Sequence, residues 1–305
     1  FTTIPNFPFE NKSIVTIGTF DGVHLGHRVV LRRMREIAKK TKGESVLLTF
    51  SPHPRHVLHK DNQDMKLITT LQEKQDLINQ AGLDNLVIHE FTKKFSRIKP
   101  ANFVRDILVE QLNVHTLVIG YDHHFGRNRE GSIQELTTLA DLYDFNIEKI
   151  DPQYFEDVTV SSSKIRKLIE KGEMVKAKQY LGYEFMLNGK VIKGNSLGKT
   201  INFPTANIVV EDKWKILPAD GVYAVKIVLE AKEYKGMMNI GQKPTVDGNG
   251  ISLEVNIFDF NQDIYGKGIE IRFVKRIRDE RKFENLLGLK KQLLIDRNKA
   301  RKILG

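Results

Sequence analysis

The chain contains no cysteine. Disulfide staples, thiolate metal sites and cysteine nucleophiles are therefore excluded. No apolar run approaches the ~18 residues that a membrane-spanning helix needs. The N-terminus lacks a basic segment followed by an apolar stretch, so no secretory leader is expected, and the cytoplasm is the expected compartment. Paired histidine ligands are scarce too. His56, His59, His115 and His123 lack the spacing and carboxylate neighbours of a metal site and read as surface or turn residues.

What remains is a chain of 305 residues, long enough for two domains with separate cores. Its formal charge of +10 suits nucleic acid, an anionic surface or a polyphosphate substrate. Residues 271–305 carry 12 Lys/Arg against 4 Asp/Glu, so most of the surplus lies in one tail that reads as a solvated helix face. A basic nucleic-acid-binding module is the rival reading from a different functional class.

Over residues 1–183 short apolar runs alternate with helical patterns. Ser13–Ile17, Ser45–Phe50, Asn85–Phe91, Val114–Ile119 and Phe145–Ile150 read as strands. Thr70-x-x-Glu73 and Ser132-x-x-Glu135 are capping boxes, and Pro100 suits a first helical turn. The alternation predicts an α/β fold with a mostly parallel sheet, whose ligands bind at the carboxyl ends of the strands.

Four polar clusters fall at such ends. After the first strand comes Gly18-Thr19-Phe20-Asp21-Gly22-Val23-His24-Leu25-Gly26-His27. Its glycines allow a tight turn, and His24 and His27 are spaced to share a face at a helix N-terminus, the setting of a phosphate site. Thr49–Pro54 closes the second strand with His53 between two prolines; Gly120–Gly126 contains Asp122 and Phe125. Ser161, Ser162 and Ser163 offer an N-cap and spare hydroxyls, and Arg166, one turn on, can pair with phosphate oxygens.

From residue 184 the pattern changes to short strands separated by glycines: 189–194, 206–210, 221–230, 234–240, 252–258 and 268–275. A small closed antiparallel barrel is expected, followed by an amphipathic closing helix from Phe283. Gly189, Gly194 and Gly198 with Lys193 and Lys199 form a basic glycine loop able to fold over phosphates. Thr205 and Asn207 are two apart, so in an extended segment their oxygens point to one side, as neutral hard ligands for Mg²⁺ beside ATP phosphates. Glu254 sits mid-strand among apolar residues. Buried there it could act as a base; the alternation alone equally allows it to face solvent.

Together these motifs resemble the bacterial bifunctional riboflavin kinase/FAD synthetases. The decapeptide is similar to the HxGH element of nucleotidylyl transferases. Residues 49–54, 120–126 and 161–166 match that family's TFxPHP, GxDFxFG and SSTxIR elements in order. The glycine loop with Pro204-Thr205-Ala206-Asn207, the segment from Asn239 to Thr245, the Glu254 strand and Ile277–Phe283 resemble its riboflavin kinase module. Three residues depart from the usual pattern: His123 for Phe, Ser163 for Thr and Lys199 for Arg.

The resemblance implies a Rossmann-like nucleotidylyl transferase domain at 1–183 and a riboflavin kinase barrel at 184–305. The barrel would phosphorylate riboflavin to FMN with ATP, and the first domain would adenylylate FMN to FAD and release pyrophosphate. It implies catalytic roles for Glu254, His24, His27 and Arg166, and Mg²⁺ at Thr205 and Asn207. ATP or flavin contacts fall on Gly18, Phe20, Asp21, Gly22, Gly26, His53, Asp122, Phe125 and Ser161–Ser163. In the barrel they fall on Gly189, Lys193, Gly194, Gly198, Lys199, Pro204, Asn239 and Arg278. Partners would be these small molecules, with no nucleic acid or membrane. A chain with one live activity and one relic domain is the nearest rival.

Overall fold

Five β-branched runs become five parallel strands: β1 (Ser13–Ile17), β2 (Glu44–Ser51), β3 (Asn85–Glu90), β4 (Val114–Ile119) and β5 (Asn146–Lys149). The computed structural model describes residues 9–58, 64–120, 133–150, 160–193, 203–245 and 248–305. It divides into two compact units, Phe1–Ser161 and Ser162–Gly305.

In the first unit the strand order is β3-β2-β1-β4-β5. Ile14, Val15, Val46, Leu47, Leu48 and Val87 are fully buried, because both faces of a parallel sheet are covered. Covering helices are α1 (Leu25–Thr41), α2 (Pro54–Leu58), α3 (Leu71–Gln80), α4 (Pro100–Phe103, continuing as a π-helical turn to Val109) and α5 (Ile133–Tyr143). The stripe Val30, Leu31, Met34 and Ala38 turns α1 onto the sheet. Thr70 and Glu73 close the expected capping box of α3. Order reverses between β1 and β4, so the carboxyl end of β1 is the topological switch point where open α/β sheets bind ligands.

The second unit begins with α6 (Ser162–Glu170) and α7 (Met174–Leu181). Six strands follow: β6 (Met186–Ile192), β7 (Ala206–Val209), β8 (Gly221–Leu229), β9 (Lys232–Thr245), β10 (Gly248–Ile257) and β11 (Gly268–Arg278). They close a barrel in the order β10-β7-β6-β11-β8-β9, every pair antiparallel. Leu187, Val225, Ile227, Val255, Ile271 and Phe273 are fully buried within it. The expected turn between β8 and β9 is made by Glu230 and Ala231, both in left-handed conformation at φ 51° and 63°. The closing helix α8 (Leu286–Leu304) covers the outer face, where Phe203, Ala224, Met237, Phe258 and Ala300 form a second apolar cluster.

By contact, α6 and α7 group with the barrel, although the sequence pattern changes only near residue 183. The reason is local. α7 packs on β11, and the turn between the two helices brings Gly172 against Tyr223 and Arg276. A Cβ on Gly172 would lie 2.7 Å from the Tyr223 hydroxyl, and the residue holds φ +73°. Gly172→Ala is therefore expected to lower the stability of residues 162–305 by about 1–3 kcal/mol. A thermal melt of that fragment checks it; an unchanged midpoint would mean the helix pair does not lean on the barrel.

Candidate functional sites

The turn after β1 is held in an unusual backbone. Phe20 (φ 46°) and Val23 (φ 36°) lie in the left-handed region without being glycine, and Gly22 sits at φ 86°. For a β-branched residue such as Val23 that is strained. What holds it is Asp21, 2% exposed. Its carboxylate accepts from Ile68 N (2.9 and 3.2 Å), Thr69 N (3.1 Å) and Thr69 Oγ1 (3.4 Å). Gly22 N in turn donates to Thr69 Oγ1 at 3.1 Å. The glycine loop is thereby tied to the segment that enters α3.

His24 is the N-cap of α1 rather than its first-turn residue, and its Nδ1 accepts from His27 N at 3.4 Å. The two imidazoles stack at 3.6 Å between centroids, and Phe20 covers the other side of His27 at 4.5 Å. His27 Nδ1 is enclosed without a hydrogen-bond partner among the described residues. Burial first, then the neighbouring His24 and Lys74, push the His27 pKa well below its ordinary value. In the free protein His27 is thus a neutral imidazole at the positive end of a helix.

Lys74 was not among the residues expected from sequence. It lies in the first turn and a half of α3, 7% exposed, and burial lowers its pKa to about 8 against the pull of Asp21. Its only sequence signal was its place directly after the capping-box Glu73. His53 stands at the end of β2, where its Nδ1 accepts from Arg55 N at 3.2 Å. Gly18 passes under the Phe20 ring, and Gly26 lies in the first turn of α1. Asp122, Phe125, His59 and His123 lie outside the described residues. Ser161 precedes α6, which Ser162 and Ser163 open; Arg166, 9% exposed, donates to Ser163 Oγ at 3.5 Å. Ser161 ends the first unit, and Ser162, Ser163 and Arg166 belong to the second.

On the barrel, strand register assembles the second site. Glu254 pairs with Asn207 on one side and Asn239 on the other, so three polar side chains form one row on the outer face. The Glu254 carboxylate accepts from Ser252 Oγ at 3.0 Å and from Thr205 Oγ1 at 3.3 Å. Asn256, buried two residues on, donates to the Pro204 carbonyl at 2.7 Å and fixes the approach to Thr205. Sequence reasoning missed Ser252 and Asn256, whose i±2 spacing from Glu254 on a strand was the available signal.

Other expected contacts are placed differently. Gly189 lies within β6, where a Cβ would meet Val209 O at 2.7 Å, so it serves strand packing. Lys193 is exposed just past β6. Arg278 ends β11 with its guanidinium on the fully buried Asp296 of α8, at 2.9 and 2.8 Å. Gln292 donates to the other Asp296 oxygen at 2.7 Å and accepts from Arg281. Gly194, Gly198 and Lys199 lie outside the described residues. Among the described residues no group of three or more His, Cys, Asp or Glu side chains is placed to hold a metal ion.

Comparison with known proteins finds two family matches along the chain. The FAD synthetase family model matches residues 7–164, and the riboflavin kinase family model matches residues 181–304. A bifunctional riboflavin kinase/FMN adenylyltransferase of Bacillus subtilis is 38% identical over 299 residues, covering 95% of this chain and 92% of that one. Its Escherichia coli counterpart is 35% identical over 297 residues, covering 97% and 94%. A solved Streptococcus pneumoniae structure described as a macrolide-efflux protein superposes with a TM-score of 0.90 at 31% identity, covering 98% of this chain and 97% of that one. No helix among the described residues of this chain is long and apolar enough to cross a membrane.

The stacked histidines carry a pH consequence. Because the folded pKa of His27 is depressed, the unfolded chain takes up a proton near pH 6.5 that the folded chain refuses. Stability is present above pH 6.5 and falls as pH drops below it, by at most about 1.4 kcal/mol per pH unit for this group. His27→Gln should flatten that slope in denaturant titrations between pH 6.5 and 5. An unchanged slope would place the acid sensitivity elsewhere.

Proposed function

We propose a division of labour for a chain that belongs to the bifunctional riboflavin kinase/FMN adenylyltransferase family. The chain phosphorylates riboflavin to FMN and adenylylates FMN to FAD. In our reading the kinase chemistry is carried by residues 184–305 and the adenylyl transfer by residues 1–183. The observation that carries the reading is the row Asn207–Glu254–Asn239 with Thr205 on the same carboxylate.

The 5′-hydroxyl of riboflavin is a poor nucleophile at neutral pH and needs a base. Glu254 is that base: Ser252 and Thr205 fix its two oxygens by donating to them, and it takes the hydroxyl proton as the oxygen attacks the terminal phosphorus of ATP and the bond to the bridging oxygen breaks to release ADP. Thr205 spends its proton on Glu254, which leaves its oxygen lone pairs for a cation. With the amide oxygen of Asn207 in the same row, these neutral hard donors fit Mg²⁺, which when bound neutralises charge on the ATP phosphates. Asn239, Pro204 and Lys193, with Gly194, Gly198 and Lys199, are proposed to line the nucleotide and flavin, and Arg278 to be held beside them by Asp296.

Adenylyl transfer differs. The FMN phosphate is already an anionic nucleophile, so the site must position it and neutralise charge on the ATP α-phosphate and departing pyrophosphate. His24, His27 and the N-terminus of α1 are proposed to donate to those oxygens. From the resemblance alone, Ser161–Ser163 and Arg166 are proposed as phosphate-binding residues of the same reaction. Gly18, Phe20, Gly22, Gly26, His53, Asp122 and Phe125 are proposed ATP or flavin contacts, and Asp21 acts by shaping the loop. Both reactions draw on ATP, which supports the cytoplasm as the compartment.

Chromatography after incubation with riboflavin, ATP and Mg²⁺ tests the pair of activities, with FMN and then FAD expected. Glu254→Gln should reduce FMN formation by about 100- to 10,000-fold. Adenylylation of supplied FMN should continue. Phosphorylation near the wild-type rate would make Glu254 a strand carboxylate and require another base.

His27→Ala should reduce FAD formation from supplied FMN by about 100-fold, the scale of losing one preorganised donor. Riboflavin phosphorylation should be untouched. Equal loss of both activities would indicate misfolding or one shared site.

A further inference from the structure

We infer that Lys74 is a phosphate-binding cation of the adenylyl-transfer site, an inference that rests on assigning that reaction to the first unit. The ligand class is a phosphoryl group, carried either by ATP or by FMN.

The placement comes first. Three bonds from Asp21 and one from Gly22 pin the entrance of α3 to the glycine loop, so the N-termini of α1 and α3 are brought side by side. Both present backbone N–H groups and the positive ends of their dipoles. Lys74 sits one turn into α3, 7% exposed, close enough to perturb His27 and to feel Asp21.

Its ammonium has no hydrogen bond or ion pair with any described residue. The two nearest carboxylates are committed elsewhere. Asp21 is taken up by the backbone of Ile68 and Thr69, and Glu73 accepts from Thr70 N at 2.9 Å in the capping box. The charged and titratable groups that face Lys74 are Asp21, His27 and, stacked on it, His24 from the glycine loop, with Glu73 before it on α3.

A nine-tenths buried lysine without a partner is a costly residue for folding. Methionine or leucine would fill the same helix position at no such cost. The arrangement makes sense when an anion arrives: a phosphate oxygen would accept from the ammonium and from the helix N–H groups together. The pKa, lowered to about 8, fits an enclosed ammonium whose burial outweighs the attraction of Asp21. Binding an anion there restores the ordinary value, so phosphate binding is coupled to full protonation of Lys74.

The test uses the full chain with Lys74→Met and Lys74→Arg, and riboflavin phosphorylation as the control for an intact barrel. Lys74→Met should lower FAD formation from FMN by about 10- to 100-fold, the scale of one charge-assisted hydrogen bond. Whichever KM rises, that for ATP or that for FMN, names the phosphate that Lys74 holds. Wild-type kcat/KM should fall above pH about 8 as the free enzyme loses this charge. That limb should be absent in Lys74→Met, and moved to higher pH with most activity restored in Lys74→Arg, since guanidinium stays charged. Lys74→Met should also melt at the wild-type temperature or above, because an unpartnered charge has left the interior.

Wild-type FAD formation by Lys74→Met, with the alkaline limb intact, would overturn the inference and leave the assignment of adenylylation standing. A lower melting temperature in both variants, with no rescue by arginine, would overturn it in favour of a packing role. A wild-type chain that makes FMN but no FAD would overturn the assignment and this role with it.

Discussion

One carboxylate holds the N-terminal site together. Asp21 accepts from two backbone N–H groups and a hydroxyl across 47 and 48 residues of sequence. Charge-assisted bonds of this kind contribute about 1.5–3 kcal/mol each. Against them stand two non-glycine residues in left-handed backbone, Phe20 and Val23, each costing about 1–3 kcal/mol. The three bonds, about 4.5–9 kcal/mol together, outweigh a strain of about 2–6 kcal/mol, so the turn persists because Asp21 and Thr69 over-determine it. The rest follows from that turn. Phe20 is swung over His27, His24 is placed at the helix cap, and the entrance of α3 is drawn against both. Asp21, a ligand contact by resemblance, is in the structure the strut of the glycine loop.

The barrel reaches a comparable result by a different route. Glu254 needs no strained backbone, because antiparallel pairing alone sets it opposite Asn207 and Asn239. A one-residue slip of β10 would turn Glu254 inward and bring Leu253 or Val255 to the outer face, so the apolar interior specifies the row of polar groups. Bonds from Ser252 and Thr205 then fix the carboxylate's rotation, and Asn256 fixes the segment that carries Thr205. As the proposed base, Glu254 on its paired strand inherits the rigidity of the ladder, which suits proton abstraction from a weakly acidic alcohol.

Much of this was legible in the residues. The strands Ser13–Ile17 and Val114–Ile119 coincide with the observed β1 and β4, because continuous β-branched runs bounded by polar residues are an unambiguous signal. The barrel, its six strands and its closing helix follow from the glycine-punctuated pattern. The decisive long-range partners were less accessible. Lys74 reads in sequence as a solvated lysine on a polar helix start, and only the tie between residues 21 and 68 shows that it is enclosed. The resemblance offers Arg278 only as a nucleotide or flavin contact, and its hold by Asp296, eighteen residues away on α8, shows only in the fold. The grouping of α6 and α7 with the barrel was hidden for the same reason, since Gly172 looks like an ordinary helix cap until Tyr223 is seen above it.

The two sites also distribute the cost of function unequally. At the site of the first unit several local rules are broken: Phe20 and Val23 lie in unfavourable backbone, and among the described residues an enclosed His27 nitrogen has no partner and a buried ammonium has no ion pair. The described part of the barrel site shows the opposite, with each Glu254 oxygen met by a hydroxyl. The difference follows from what each reaction asks. A general base must be positioned before substrate arrives and is stabilised by its own neighbours. On the proposed assignment, a site that neutralises polyphosphate charge is complete only when the anion is present, and the enclosed Lys74 is relieved by the ligand itself. Local rules fail in the first unit where a substrate is needed to satisfy them.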